Sequence, residues 1–284
     1  MQDNNNLVKL LLQETYQNNA TKRVGTYIHA SQITRSDFCA RQKHLINHHN
    51  VKVTEAIGSA LTATFETGKV LQDITTNTWL KEHVWGHWVC GRCGFTWNYT
   101  FRPTHCANCP PNQAKLRKKF EYREVMMRSH KLRMVGSVDF FIQPPASPLL
   151  YLVEHKIMSP TMFKDLKAPL SEHAKRTRLY LAMTDLIPDH LLPAPLAENG
   201  IVLYISRGHG TYNPIASTIG TANDSYSPWR QFRVKRDDKQ LKPMIEIAQV
   251  YAATNHKTCP RVCASIKEGI DRGCPVAKHC FDGD

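Results

Sequence analysis

Apolar residues recur along this chain with two different periods. Over residues 54–82, Ile57, Leu61, Phe65, Leu71, Ile74 and Trp79 fall close to a 3.6-residue spacing. This predicts an amphipathic helix, although Gly58 and Gly68 weaken its propensity. The stretch HASQITRSDFCARQKHLI predicts another, with Ser31 as N-cap and Ile33, Phe38 and Leu45 on its apolar side. SEHAKRTRLYLAMTDLI and LKPMIEIAQVYAATN are helical in pattern, and LVKLLLQ near the start predicts a short, loosely docked helix. FEYREVMMRSHKLRMVGSVDFFI reads as two strands turning around Ser129 to Lys131, GIVLYISRG as a buried strand, and QFRVKRD as an alternating basic strand. Strands set between long helices predict an α/β (α+β) fold around a mixed central sheet.

Two apolar runs carry charges that a core strand avoids. Val138 to Ile142 contains Asp139, and Leu149 to Val153 runs into Glu154 and Lys156. The prolines of the intervening QPPASP stop a strand and favour a turn. Antiparallel pairing about that turn places Asp139 opposite roughly residues 152 to 154, with Glu154 and Lys156 on one face. The three charges then converge at one end of the hairpin. Two neighbouring carboxylates repel, and desolvation worsens the conflict. A hard divalent cation, Mg²⁺ or Mn²⁺, relieves it by taking oxygens from Asp139, Glu154 and the His155 carbonyl. Lys156 would position the attacking water and stabilise charge on a phosphate. A solvated strand end with a Glu–Lys pair gives the same letters; the apolar runs, the proline turn and the basic chain favour the site.

Composition sharpens this picture. Thirty-seven Lys and Arg against twenty-four Asp and Glu give a formal charge of +13 over 284 residues, which favours a polyanionic partner through counterion release. No apolar run nears the ~18 residues of a membrane span, and the polar MQDNNN start is unlike a signal peptide. A soluble, cytoplasmic protein is expected. Nine cysteines in such a compartment point to metals rather than disulfides. Cys90-Gly-Arg-Cys93 and Cys106-Ala-Asn-Cys109, twelve residues apart, predict a closed structural Zn²⁺ site stapling a small ribbon over residues 86–112. Trp97, Tyr99, Phe101 and Arg102 on that ribbon either stack on bases or pack it. Cys259, Cys263, Cys274 and Cys280 form a second, less regular set, open to a local Zn²⁺ site or another cluster.

Gly136-Ser-Val-Asp139 followed by Glu154-His-Lys156 resembles the core motif of the PD-(D/E)XK nucleases. The flanking residues are similar to the RecB-like branch, which includes CRISPR-associated exonucleases and phage recombination nucleases. Ser31, Cys39 and Arg41 match its N-terminal helix, FETGKVLQD its following helix, and His173 and Tyr180 the helix after the lysine. Gln72 stands where the branch often has a metal-binding His, and Arg176 where Gln is usual. The resemblance implies a restriction-endonuclease-like domain over residues 1–284, with the ribbon inserted and residues 259–280 closing on Cys39. It implies Asp139, Glu154 and Lys156 as catalytic, with Gln72, His173, Arg176 and Tyr180 toward substrate. It further implies a [4Fe–4S] cluster on Cys39, Cys263, Cys274 and Cys280, with Cys259 in reserve because Asp271 holds the usual position of one ligand. The expected activity is a metal-dependent DNA exonuclease acting on single strands or ends in recombination, repair or phage DNA processing. A structure- or site-specific endonuclease with the same triad, or an inert nucleic-acid-binding accessory protein, are the alternatives. Arg207, Arg233, Lys235 and Arg236 are further candidates for the DNA backbone.

Overall fold

A computed structural model describes residues 25–51, 59–110, 120–207 and 228–281, with side chains from residue 64 onward in the second stretch. The elements run β1 (Ile28–His29), α1 (Ala30–Ile33), α2 (Ala40–His48), α3 (Ser59–Ile74), a π-helical turn (Thr75–Trp79), β2 (Val84–Cys90) and β3 (Thr96–Phe101). They continue through β4 (Phe120–Arg123), β5 (Val125–Ser129), β6 (Met134–Val138), β7 (Phe140–Ile142), β8 (Tyr151–Met158), α4 (Pro160–Lys164) and α5 (Ser171–Met183). Two 3₁₀ turns (Thr184–Leu186, Asp189–Leu191), β9 (Asn199–Ser206), β10 (Trp229–Lys235), α6 (Asp238–Ala253), α7 (Ile266–Asp271) and α8 (Ala277–Phe281) complete the chain. The helix expected at LVKLLLQ and the start of the 54–82 segment lie outside the described residues. Where the sequence suggests one domain over 1–284, the chain divides into two compact units, residues 1–70, 130–134 and 243–284 and residues 71–129 and 135–242.

In the first unit, the helix expected across HASQITRSDFCARQKHLI is broken in two. His29, not Ser31, caps α1, accepting from the Ser31 N–H. The chain then leaves the helix at Thr34, and Arg35 and Asp37 pair side by side at 2.7 and 2.9 Å. α2 restarts with Cys39 as its N-cap, the thiol accepting from the Gln42 N–H at 3.4 Å. Ser and Asp compete with helical backbone bonding, which favours the interruption. Tyr251, fully buried, organises this unit. His44 stacks on its ring at 4.2 Å, the Arg133 guanidinium lies 5.0 Å from the ring centre, and its hydroxyl donates to the Thr26 carbonyl at 2.9 Å.

The second unit is built on a seven-stranded mixed sheet, in the order β10-β9-β8-β7-β2-β3, with β4 also on β2. β8 and β9 run parallel, joined through α4 and α5, and the other pairs are antiparallel. This is the mixed sheet flanked by helices that the sequence predicts. The expected two strands across 120–142 are four, interrupted at Glu124 and Asp139. β8 runs to Met158, so Glu154 and Lys156 sit inside a strand rather than at its end. One core cluster joins Val84, Trp88, Phe120, Tyr122, Phe140 and Val153; another joins Met158, Phe163, Val202, Tyr204 and Val234.

The π turn has a local cause. The Thr75 and Thr76 hydroxyls bond back to the Leu71 and Gln72 carbonyls at 2.7 and 3.0 Å. Such back-bonding loosens the helical ladder, and the Leu80 N–H reaches past it to the Thr75 carbonyl. Asn77 then faces β4 and accepts from the Tyr122 N–H at 2.7 Å.

α5 approaches β9 closely because residue 200 is glycine. A Cβ there would lie 2.5 Å from Thr177 Cγ2, and Thr177 is buried with its hydroxyl donating to the His173 carbonyl at 2.9 Å. Gly200→Ala should lower unfolding stability by about 1–3 kcal/mol through overpacking; an unchanged urea midpoint would show that the helix can shift freely.

Candidate functional site

β7 pairs with β8 from Phe140↔Val153, and the bend at Asp139 comes one residue before that register. Continuing it places Asp139 opposite Glu154, as expected from the hairpin. The period of two along β8 sends Glu154 and Lys156 to one face. Lys156 Nζ lies 2.7 Å from Glu154 Oε1 and 3.3 Å from Asp139 Oδ2, and it donates to the His155 carbonyl at 2.8 Å. The three oxygens expected to hold a divalent cation thus converge on one point, taken by the ammonium. Asp139 Oδ2 also accepts the His155 N–H at 2.7 Å. The His155 side chain turns to the buried opposite side, 6.2 Å from the Phe140 ring, with Nε2 unpartnered.

The surrounding charges are held in a low-dielectric pocket. The Glu154 side chain is 1 % exposed, and burial pushes its carboxyl above the usual range, opposed by Lys156 and Arg176 and reinforced by Asp139. Burial pulls Lys156 down, but Asp139 and Glu154 outweigh it and hold the ammonium above the ordinary lysine range. Arg176 binds Glu154 Oε1 at 3.1 Å and Glu172 at 3.2 Å. Gln72 spreads its amide between Glu124 Oε1 at 3.2 Å and Asp139 Oδ1 at 3.5 Å.

Glu124 is the site residue that sequence reasoning missed. One side of it meets solvent, yet crowding by protein atoms and the nearby Asp139 raises its carboxyl to about 7. The signal available was the acid interrupting the alternation of FEYREVMM. Tyr180, expected toward substrate, is 2 % exposed and stands beneath Glu154 and Asp139; burial and those carboxylates hold its phenol protonated. Its ring is buried in the core while its phenol lies close enough to the acids to feel their charge. His173 faces Tyr204. The Tyr204 hydroxyl accepts the Leu170 N–H at 2.9 Å and has its own proton to give to His173 Nδ1 at 2.8 Å. Burial, with Lys156 and Arg176 nearby, keeps the His173 imidazole neutral.

The ribbon thiols form a compact tetrad. Cys90, Cys93, Cys106 and Cys109 place their sulfurs within 4.8 Å of one another, with Cys93–Cys106 at 3.6 Å and Cys90–Cys109 at 3.9 Å. A tetrahedral ion with metal–sulfur bonds near 2.3 Å spaces its ligands at about 3.8 Å, so the group can hold a metal such as zinc. The Gly94 φ of +73° closes the first turn, where its N–H reaches the Cys90 carbonyl at 2.9 Å. The Phe95 N–H bond lowers the Cys93 thiol to about 6. The ribbon aromatics pack inward: Trp97 meets Phe120 at 5.2 Å, Tyr99 meets His87 at 4.8 Å, and the Arg102 guanidinium lies 5.9 Å from the Phe120 ring centre.

The other five cysteines all belong to the first unit. Burial raises the Cys39 thiol, with Cys274 and Cys259 adding to it, and Cys274 in turn feels Cys280 and Cys263. Among the described residues, these five sulfurs do not make up a group of three or more that could hold a single ion. Arg41, buried, donates to the Lys257 and Cys259 carbonyls at 3.0 and 2.9 Å, which explains an arginine two residues after Cys39. Of the expected backbone contacts, Arg236 is paired with Asp185 and Asp238, and Lys235 lies 3.6 Å from Glu198. No helix among the described residues is long and apolar enough to cross a membrane.

No family model matches the chain, and no curated protein matches it. Fourteen solved chains do. One is the crystal structure of SSO0001, 11 % identical, covering 89 % of this chain and 92 % of its own, with a TM-score of 0.41.

Burial shifts two histidines strongly. His155 is lowered to about 4 by burial, and His173 to about 3 by burial with Lys156 and Arg176 nearby. An unfolded histidine protonates near ~6.5. Stability present above that pH should therefore fall as pH drops toward 4 and then 3, because the unfolded chain takes up protons that the fold refuses. Urea midpoints across that range should show the decline, and His173→Gln should flatten it; an unaltered slope in the variant would place the acid sensitivity elsewhere.

Proposed function

We propose that the chain is a metal-dependent deoxyribonuclease, an exonuclease on single strands or DNA ends, as its resemblance to the RecB-like nucleases implies. The observation that carries the reading is the convergence of Asp139 Oδ2, Glu154 Oε1 and the His155 carbonyl on one cationic point. Those oxygens would hold Mg²⁺ or Mn²⁺, a hard cation that polarises phosphate and lowers the pKa of bound water. Lys156, displaced from between the acids, keeps its proton and its charge toward the phosphate. Arg176 holds Glu154 through Oε1, and Gln72 holds Asp139 through Oδ1, so each carboxylate keeps its orientation. The net charge of +13 supports a polyanionic substrate.

The ribbon tetrad is assigned to structural zinc, on the near-tetrahedral sulfur spacing. The first unit's set is assigned to a [4Fe–4S] cluster on Cys39, Cys263, Cys274 and Cys280, with Cys259 as reserve. A cubane binds each thiolate to a separate iron, so its four ligands need not gather around one ion.

Incubation with end-labelled linear and closed circular DNA in Mg²⁺ or Mn²⁺ tests the activity. Loss of linear DNA alone supports the exonuclease; nicked circles would make it an endonuclease, and binding without cleavage an inert accessory protein. Glu154→Ala should abolish cleavage with DNA affinity retained. Gln72→Ala, which releases a ligand rather than removing one, should cost about 10–100-fold. Turnover surviving in the Glu154 variant would remove that residue from the reaction.

Metal analysis checks the cysteines separately. Protein purified without oxygen should be brown, absorb near ~400 nm, and contain zinc that Cys93→Ser and Cys106→Ser together remove. A colourless protein with two zinc ions would replace the cluster by a second zinc site.

A further inference from the structure

Trp79 ends the π turn and Trp229 begins β10, both in the second unit. They are 50 % and 48 % exposed and meet edge to face, ring centres 6.0 Å apart. Among the described residues β10 is the edge strand beyond β9, and its side chains alternate. Phe232 and Val234 face the cluster around Tyr204, and Arg230 donates to the Phe163 and Leu166 carbonyls at 2.7 and 2.6 Å. Trp229, Gln231, Arg233 and Lys235 take the other face and are all exposed. At the rise of a strand this row is about 20 Å long.

Its outward positions on β10 include no acid. Glu198 reaches Lys235 at 3.6 Å, but both side chains are more than 70 % exposed, and such pairs are weak. Arginine and lysine on an edge strand also discourage pairing with another chain. Two half-exposed indoles at the end of the same row work against that protection, so edge defence does not account for them. Indole faces beside spaced cations suit an unpaired nucleic-acid strand, whose bases stack and whose phosphates seek charge.

We propose that Trp79, Trp229, Gln231, Arg233 and Lys235 form a track for single-stranded nucleic acid. Bases stack on the indoles, and phosphates lie along Arg233 and Lys235. The inference rests on the nuclease reading for its polyanionic ligand, and it names an unpaired strand as what the unit holds.

The probe is a labelled oligothymidylate of about 16 nucleotides, titrated into the full chain with Mg²⁺ and Mn²⁺ withheld so that nothing is cut. Binding should quench tryptophan emission. Trp79→Ala and Trp229→Ala should each weaken it about 5- to 150-fold, while Trp229→Phe, which keeps a stacking ring, should retain most of the affinity. Arg233→Ala should reduce the slope of log affinity against log salt by about 0.7. An abasic oligonucleotide of equal length should bind the wild type and the double tryptophan variant alike, which loss of folding would not produce. Wild-type affinity in both tryptophan variants, or tryptophan dependence that persists on the abasic strand, would overturn the track. A protein that cleaves DNA normally with both tryptophans replaced loses only this inference; one that binds the strand but never cuts loses the nuclease reading instead.

Discussion

Three charged groups share the interior of one sheet, and the Lys156 ammonium makes that tolerable. It lies within 3.3 Å of two carboxylates and a carbonyl, where repulsion between the acids would otherwise go unanswered. A buried charge stripped of its partner typically costs about 3–5 kcal/mol. Arg176 adds a second cation on Glu154, and Gln72 takes the remaining Asp139 oxygen. Every element around the site supplies a group to this balance: α3 brings Gln72, α5 brings Arg176, the break between β4 and β5 brings Glu124, and the bend before β7 brings Asp139. The sheet, in effect, is arranged around a concentration of charge that only paired groups can stabilise.

How much of this could be read from the letters depended on distance along the chain. Glu154 and Lys156 were legible because a strand repeats every two residues, and Asp139 because a short proline turn fixes the hairpin register. Glu124 was not, since a charge on an otherwise alternating strand looks like ordinary surface until Gln72 is seen to reach it across 52 positions. The depth of Tyr180 was not legible either: its motif named the residue, while helical phase and the packing of α5 on the sheet bury its ring and bring its phenol near the acids. The break between α1 and α2 was hidden for a similar reason: periodicity across Ile33, Phe38 and Leu45 survives an interruption whose cause is side-chain competition for backbone bonds.

The two cysteine groups divide along the same line. The ribbon thiols lie in two tight turns, and local backbone geometry brings each pair together. Cys39 and the C-terminal cysteines are separated by more than two hundred residues, so their neighbourhood depends on tertiary contacts such as Arg41 on the Cys259 carbonyl. Resemblance named the arginine; only the fold shows it fastening the loop at Lys257 and Cys259.

The five residues Thr75–Trp79 set the phase of everything that follows them. One extra residue wound into a helix rotates the downstream side chains by about 100° relative to an uninterrupted α-helix. That offset is what turns Asn77 toward β4 and leaves Trp79 facing outward beside Trp229. A chain that lost a single residue here would keep its helix and even regularise it, yet it would point the wrong side chains at the sheet. This short segment is consequently intolerant of length change, even where it would accept changes of residue type.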